Sequence, residues 1–98
     1  MAEIKWTEEA LRWLRDIHDY IASDNPDAAR KVITGIYEKV QILRKFPELG
    51  STYRLEADGC ICIMLYGHYR IAYLIRNEDQ IFVLGVFHGA LDIGKYLP

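Results

Sequence analysis

Three side chains in the second half of the chain have chemical types that could process a phosphodiester. Arg70 places a permanent positive charge inside an apolar run, His88 could act as an acid or base near neutral pH, and Tyr96 could stack on a base. Cleavage of RNA by its own 2′-hydroxyl requires a base, an acid and positive charge on the developing phosphorane. Arg70, His88 and Tyr96 are therefore the residues of this half whose types could carry such chemistry.

The same residues also have structural explanations. Arg70 could pair with a carboxylate such as Asp92, or with backbone carbonyls, because charges are rarely buried unpaired. His88 could cap its strand by bonding the loop that follows. The preceding segment ICIML, residues 61–65, carries no charge, so few cations would surround a phosphate. Structural or binding roles therefore remain open for these residues.

Length and composition indicate a small cytoplasmic protein with one domain, residues 1–98. Just over half of the residues are hydrophobic, and the formal net charge is −2. That balance argues against broad binding to nucleic acid, which depends on many basic contacts with phosphate. The N-terminus lacks the apolar core of a signal peptide, and no apolar run is long enough to span a membrane. We expect no membrane association.

Cys60 and Cys62 stand two residues apart in a predicted strand. Residues at this spacing point to the same face of a strand, without the geometry of an ordinary disulfide. We expect both to be reduced and buried. No histidine lies at a recognisable zinc spacing from them, so the sequence predicts neither a metal site nor a cofactor.

The first half of the chain predicts a short strand followed by two helices. Residues 3–6 alternate, Thr7 can cap a first helix, and Asn25-Pro26 can end that helix and begin a second. Apolar residues recur at helical spacing in both helices, and the second ends near Pro47 and Gly50. The short link between the helices predicts an antiparallel hairpin.

The second half changes to the pattern of short strands. CICIMLY, YRIAYLIR and QIFVLGVFH are rich in β-branched and aromatic residues and are separated by links short enough for hairpins. They predict a three-stranded antiparallel meander, to which the N-terminal strand can add. The pattern does not decide whether the loop STYRLEADG, residues 51–59, is ordered without a partner. The predicted class is α+β, in the order β-α-α-β-β-β, with the helices on one face of the sheet.

Nearly the whole chain resembles the RelE/ParE superfamily of bacterial toxins. The likeness lies in the order of elements, FPELG after the second helix, YGHYRIAYLI in the central hairpin and VLGVFHGALD on the last strand. It implies a twisted sheet with an N-terminal helical hairpin, and neutralisation by an antitoxin from the same operon. RelE-like members cut messenger RNA on the ribosome, whereas ParE-like members inhibit DNA gyrase.

Individual positions place the chain nearer the ParE branch of this superfamily. Arg70 matches the arginine that RelE-like nucleases place on the phosphate, but the chain lacks their lysines on the preceding strand, and FHGALD looks more like ParE. The resemblance therefore implies a gyrase inhibitor that acts by contact. One alternative is a ribosome-dependent mRNA endonuclease, for which the resemblance implies Arg70, His88 and Tyr96 as the candidate catalytic residues. The other is a non-toxic protein that only binds its antitoxin. Candidate residues for binding the target are Arg70, His88, Asp92, Lys95 and Tyr96.

The resemblance also implies a ParD-like antitoxin whose partly disordered C-terminal segment wraps around this chain. A helix of that segment would lie on the helical hairpin, and a strand could add to the sheet edge. An acidic peptide could fold onto apolar grooves and local basic positions, although most surface charges need no partner. The candidate antitoxin contacts are Arg12, Arg15, Arg30, Lys31, Arg44 and Arg54.

Overall fold

A computed structural model describes residues 1–97 of the chain and contains five strands, two α-helices and two 3-10 turns. The strands are β1 (Glu3–Trp6), β2 (Ser51–Glu56), β3 (Gly59–Tyr66), β4 (Tyr69–Asn77) and β5 (Gln80–His88). The helices are α1 (Glu8–Ala22) and α2 (Pro26–Gln41). The 3-10 turns are Ile42–Arg44 and Ile93–Lys95.

Both helices begin at the residues that the sequence predicts. The N–H of Ala10 donates to Thr7 Oγ1 (3.1 Å), and the N–H of Ala28 donates to Asn25 Oδ1 (3.1 Å). Each cap satisfies one of the helix N–H groups that have no partner within the helix. Thr7 also donates its hydroxyl proton to the carbonyl of Val83 (2.8 Å), so the start of α1 is fixed to β5.

The strands form one sheet in the order β1-β5-β4-β3-β2. β1 pairs with β5 in parallel, and all other neighbours are antiparallel. The predicted α+β class and the helical hairpin are confirmed. The meander has four strands rather than three, because residues 51–56, which the sequence left open, pair with β3 along the sheet edge.

The two faces of the sheet are covered by different parts of the chain. On one face α2 contributes Ile36 and Val40, and the 3-10 turn after it contributes Leu43. These residues pack with Ile71 and Tyr73 of β4. On the other face, residues of the sheet pack with the C-terminal segment and with one helical aromatic. That second cluster includes Ile61, Ala72, Phe87, Ile93, Leu97 and Trp13. The C-terminal segment therefore closes the face that the helices leave open.

Tyr73 joins the core to the connection between the helices and β2. Its ring is fully buried, its hydroxyl donates to the carbonyl of Pro47 (2.8 Å), and it accepts from the N–H of Gly50 (2.9 Å). Tyr73 therefore has both a packing role and a polar role in the fold. The FPELG segment is held in place by one phenol.

Tyr73→Phe is expected to lower the free energy of unfolding by about 1–3 kcal/mol, because it leaves Pro47 and Gly50 without their partner. The measurement is urea unfolding followed by circular dichroism. Tyr20→Phe is the matched control, since that side chain is 82% exposed and should change stability little. Equal effects of the two substitutions would contradict the bracing role of Tyr73.

Alkaline pH is expected to destabilise the fold through two buried acids. Burial raises the pKa of Cys62 from 9.0 to about 11 and that of Tyr73 from 10.0 to about 12. Between pH 9 and pH 12 the unfolded chain therefore loses these protons while the folded chain retains them, so the free energy of unfolding falls as pH rises. Urea unfolding at pH 8 and pH 11 measures this fall, and Tyr73→Phe should reduce it. A pH-independent stability would contradict the assignment.

Candidate target-binding surface

Arg70 braces the loop that follows β5. It lies on β4 opposite Phe87, and its side chain is half-buried. The guanidinium donates from one terminal nitrogen to the carbonyls of Leu91 (2.5 Å) and Gly89 (3.3 Å). Among residues 1–97, no carboxylate forms an ion pair with Arg70, so Asp92 is not its partner there. Of the structural explanations offered by the sequence, the structure shows the one with backbone carbonyls.

His88 closes the same loop from the end of β5. The N–H of Ala90 donates to Nδ1 of His88 (3.3 Å), and the N–H of Gly89 donates to the carbonyl of His68 (2.8 Å). The imidazole also packs edge-on against Tyr69, with the ring centres 6.0 Å apart. This ring is exposed, and it holds the loop through the nitrogen that accepts the Ala90 N–H. The capping geometry anticipated for His88 is present.

Arg70 and His88 lie on opposite faces of the sheet. Directly paired residues of neighbouring strands share a face, and Arg70 pairs with Phe87 whereas His88 pairs with Tyr69. Tyr69 and Arg70 are adjacent on β4, so their side chains alternate. The sheet therefore does not bring the imidazole and the guanidinium together on one phosphate.

A β-bulge at Leu84 produces this separation. Tyr73 pairs with Val83, but Ala72 pairs with Gly85, so Leu84 is an extra residue in β5. A shift of one residue moves every later side chain of the strand to the other face. Without the bulge, Arg70 and His88 would share a face, as the RNase hypothesis requires.

The remaining candidates for target binding lie on the C-terminal segment. Tyr96 is 50% exposed and packs edge-on against Trp13 (5.2 Å between ring centres) and nearly parallel to Phe87 (5.9 Å). Asp92 precedes the 3-10 turn Ile93–Lys95, Lys95 is the last residue of that turn, and both side chains are exposed. Tyr96 is thus on the Phe87 face, the same face as Arg70. We call the exposed residues Asp92, Lys95 and Tyr96 the C-terminal surface.

Comparison with known proteins identifies the family of this chain. Residues 4–93 match the family described as "ParE toxin of type II toxin-antitoxin system, parDE". The match covers most of the chain. The chain belongs to the ParE toxin family. The ParE-like resemblance of the sequence is therefore confirmed, and the protein is the toxin component of a type II toxin-antitoxin system.

Two relatives illustrate the family. The ParE-family chain is 41% identical over 81 residues to a protein of Sinorhizobium fredii (strain NBRC 101917 / NGR234) described as "Putative toxin Y4kP", with 83% of each chain covered. A solved structure titled "Chromosomal ParDE TA system from P. aeruginosa" superposes with a TM-score of 0.72 and 23% identity, covering 90% of this chain and 96% of that one. The second likeness confirms the fold.

The candidate antitoxin contacts of the ParE-family chain are spread over several elements. Arg12 lies 3.6 Å from Glu9 on α1, and Arg30 lies 2.6 Å from Asp27 on α2. Arg54 on β2 is half-buried and pairs with Glu56 (2.8 Å). The exposed candidates are Arg15 on α1, Lys31 on α2 and Arg44 in the first 3-10 turn. The six residues thus lie on four different elements.

An apolar groove beside FPELG was missed by the sequence analysis. It encloses about 720 Å³ between Lys45–Leu49 and the end of β4. Its apolar lining includes Phe46, which is 60% exposed, Leu49 and Ile75. The sequence analysis used FPELG as a helix break and as part of the family resemblance, and the phenylalanine beside a proline was the available signal for a groove. Ile75 pairs with Cys60 of β3, so the groove lies near the end of β4 and the start of β3.

The structure also bears on metals and membranes. Within residues 1–97, no group of three or more His, Cys, Asp and Glu residues is placed to hold a metal ion. Cys60 and Cys62 are free thiols, as predicted, but only Cys62 is buried. The burial predicted for Cys60 is wrong, because that residue is half-buried next to the edge strand β2. None of the helices in this part of the chain is long and apolar enough to cross a membrane.

Proposed function

We propose that this ParE-family toxin inhibits DNA gyrase by protein contact rather than by catalysis, as a single domain acting in the cytoplasm where gyrase works. The observation that carries the proposal is the separation of Arg70 and His88 by the sheet, which keeps the imidazole from acting as an acid or base beside the guanidinium on one phosphate. β3 adds no cation to this region, since Gly59–Tyr66 contains no lysine or arginine. A ribosome-dependent nuclease has less support from this arrangement.

The proposed contact surface is the C-terminal surface together with the loop that Arg70 and His88 hold. Tyr96 offers a half-exposed aromatic ring that is already fixed by Trp13 and Phe87, so little side-chain entropy is lost on binding. Asp92 and Lys95 place one charge of each sign beside that ring. An aromatic anchor with a charged rim is typical of the centre of a protein interface.

The proposal predicts a definite cellular phenotype. Expression of the wild-type toxin should arrest growth, with filamentation and a DNA-damage response, and the double variant Lys95→Ala/Tyr96→Ala should relieve the arrest. Lys31→Ala, which removes an exposed lysine from α2, is the matched control and should leave the arrest intact. Arrest with rapid loss of translation would favour the ribosome instead. Absence of arrest with folded wild-type protein would favour a non-toxic antitoxin partner.

The proposed neutralising partner is a ParD-like antitoxin bound to the helical hairpin and the groove beside FPELG. Exposed arginines on α1 and the apolar lining of the groove suit an acidic amphipathic segment. Arg12→Glu/Arg15→Glu should weaken antitoxin binding about tenfold in titration calorimetry, whereas Lys5→Glu on β1 should not. Equal affinities of both variants would place the antitoxin elsewhere. Toxicity should be unchanged in both.

A further inference from the structure

The two thiols of β3 form a close pair that the proposed function does not use. Cys60 and Cys62 project from the same face of the strand, with their Sγ atoms 3.7 Å apart. Cys62 is buried beside Tyr73, its partner on β4. Cys60 is half-buried, and its Sγ lies 3.8 Å from Thr52 Oγ1 on the edge strand β2. One thiol of the pair is therefore reachable from the sheet edge.

The strand geometry opposes a direct bond between these sulfurs. Residues two apart on a strand have Cα atoms separated by about 6.4–6.8 Å, at the long limit of the range seen in disulfides. β3 is also held on both sides, by β2 and β4, so it cannot easily shorten. A bridge of one additional atom fits better. At a bond length of about 2.3 Å, as in zinc–thiolate bonds, sulfurs 3.7 Å apart subtend roughly 107° at the bridging atom.

The number of available ligands decides which atom suits the pair. A structural zinc site normally has four protein ligands, and residues 1–97 contain no group of three or more candidate ligands. A monosubstituted trivalent arsenical is satisfied by two thiols. We propose that Cys60 and Cys62 form a dithiol site for trivalent arsenicals, bridged by a single arsenic atom.

The chemistry of this bridge balances without an oxidant. A hydrated arsenical, R–As(OH)₂, condenses with the two thiols: two As–O bonds break, two As–S bonds form, and two waters leave with the thiol protons. Arsenic stays trivalent. The product carries no charge, which suits a site where burial raises the pKa of Cys62 and disfavours its thiolate. Cys60 reacts first because it is the more accessible thiol, and Cys62 then closes the bridge.

Phenylarsine oxide tests the proposal on the intact, folded chain. Native mass spectrometry should show one arsenical per wild-type chain, retained in excess glutathione and removed by a small dithiol. Cys60→Ser and Cys62→Ser should each weaken retention by about 10²-fold, because the second thiol then no longer acts at high effective concentration. Thr52→Val keeps both thiols and should retain the adduct.

Three results of the binding experiment would overturn the proposal, and a fourth from thermal unfolding follows below. The three are no adduct on folded wild-type protein, an adduct only after denaturation, and equal retention by a single-cysteine variant. Circular dichroism of each variant establishes that it is folded. If a serine variant fails to fold, Cys60→Ala or Cys62→Ala replaces it. Bridging should also raise the melting temperature of the wild-type chain and leave that of the single-cysteine variants unchanged. An unchanged melting temperature of the wild-type chain would contradict a bridge between these two residues of β3.

Discussion

Replacing Phe87 with alanine is expected to lower the free energy of unfolding by about 3–5 kcal/mol. The ring is fully buried and lies against Trp13 (4.8 Å between ring centres) and Tyr96 (5.9 Å), so its removal leaves a cavity beneath the C-terminal segment. A domain of this size is stabilised by only about 5–15 kcal/mol in total. Phe87→Ala should therefore bring the protein close to unfolding and release Tyr96 from the surface proposed to contact gyrase.

Urea unfolding measured by tryptophan fluorescence follows this change, because Trp13 is in direct contact with the Phe87 ring. Leu65→Ala is the matched truncation of an apolar residue in the sheet. That side chain is 66% exposed, so its truncation should lower the free energy of unfolding only slightly. If the two variants lost similar stability, the second core cluster would not hold the C-terminal segment as described.

The position of Phe87 depends on a residue without a side chain. A Cβ at Gly85 would lie 2.4 Å from the Phe87 ring, closer than side chains approach one another. Gly85 follows the bulge residue Leu84 on β5 and pairs with Ala72 on β4. The small residues at this point leave the space that the ring fills. The bulge and the aromatic cluster are therefore parts of one arrangement.

Arg70→Ala is expected to cost about 1.5–3 kcal/mol, the range for hydrogen bonds made by charged groups. The change removes the donor shared by the carbonyls of Gly89 and Leu91, so the loop after β5 should also become mobile. We expect gyrase inhibition to fall along with stability. Hydrogen exchange of residues 88–92 reports the loop directly, and urea unfolding gives the free energy.

Two variants separate bracing from charge at this position. Arg70→Lys keeps the charge, but its ammonium does not reproduce the planar donor array of the guanidinium, so loop mobility should be only partly restored. Arg76→Ala removes another arginine of β4, one that is exposed and lies over the Phe82 ring (4.6 Å), and should leave the loop unchanged. If hydrogen exchange of residues 88–92 became faster in Arg76→Ala but not in Arg70→Ala, the role of Arg70 in holding the loop would be contradicted.

The sequence predicted those elements whose signals are local. Thr7 and Asn25 identified the helix starts because caps depend on side chains within three residues. β2 was not assigned because Ser51–Glu56 is a mostly exposed edge segment without an apolar stripe, and it becomes a strand by pairing with β3. Edge strands of this kind are specified by tertiary contacts rather than by periodicity.

The sequence singled out candidate residues for a site but not the geometry that relates them. Arg70, His88 and Tyr96 were each chosen for residue type and position, and the loop bonded by Arg70 was among the structural alternatives. The placement of Arg70 and His88 on opposite faces depends on the bulge at Leu84. The sequence VLGVFH is equally typical of a regular strand without a bulge. A register shift of one residue has no composition signature. The aromatic contacts that fix Tyr96 likewise join α1, β5 and the C-terminal segment across long sequence separations.

Supercoiling of relaxed plasmid by purified gyrase tests the central claim most directly. The purified toxin is added in increasing amounts, with its antitoxin and the Lys95→Ala/Tyr96→Ala variant as controls. We expect inhibition that the antitoxin reverses and the double variant loses. Full supercoiling by active gyrase in the presence of folded toxin would contradict inhibition by contact and would direct the search for a target to the ribosome.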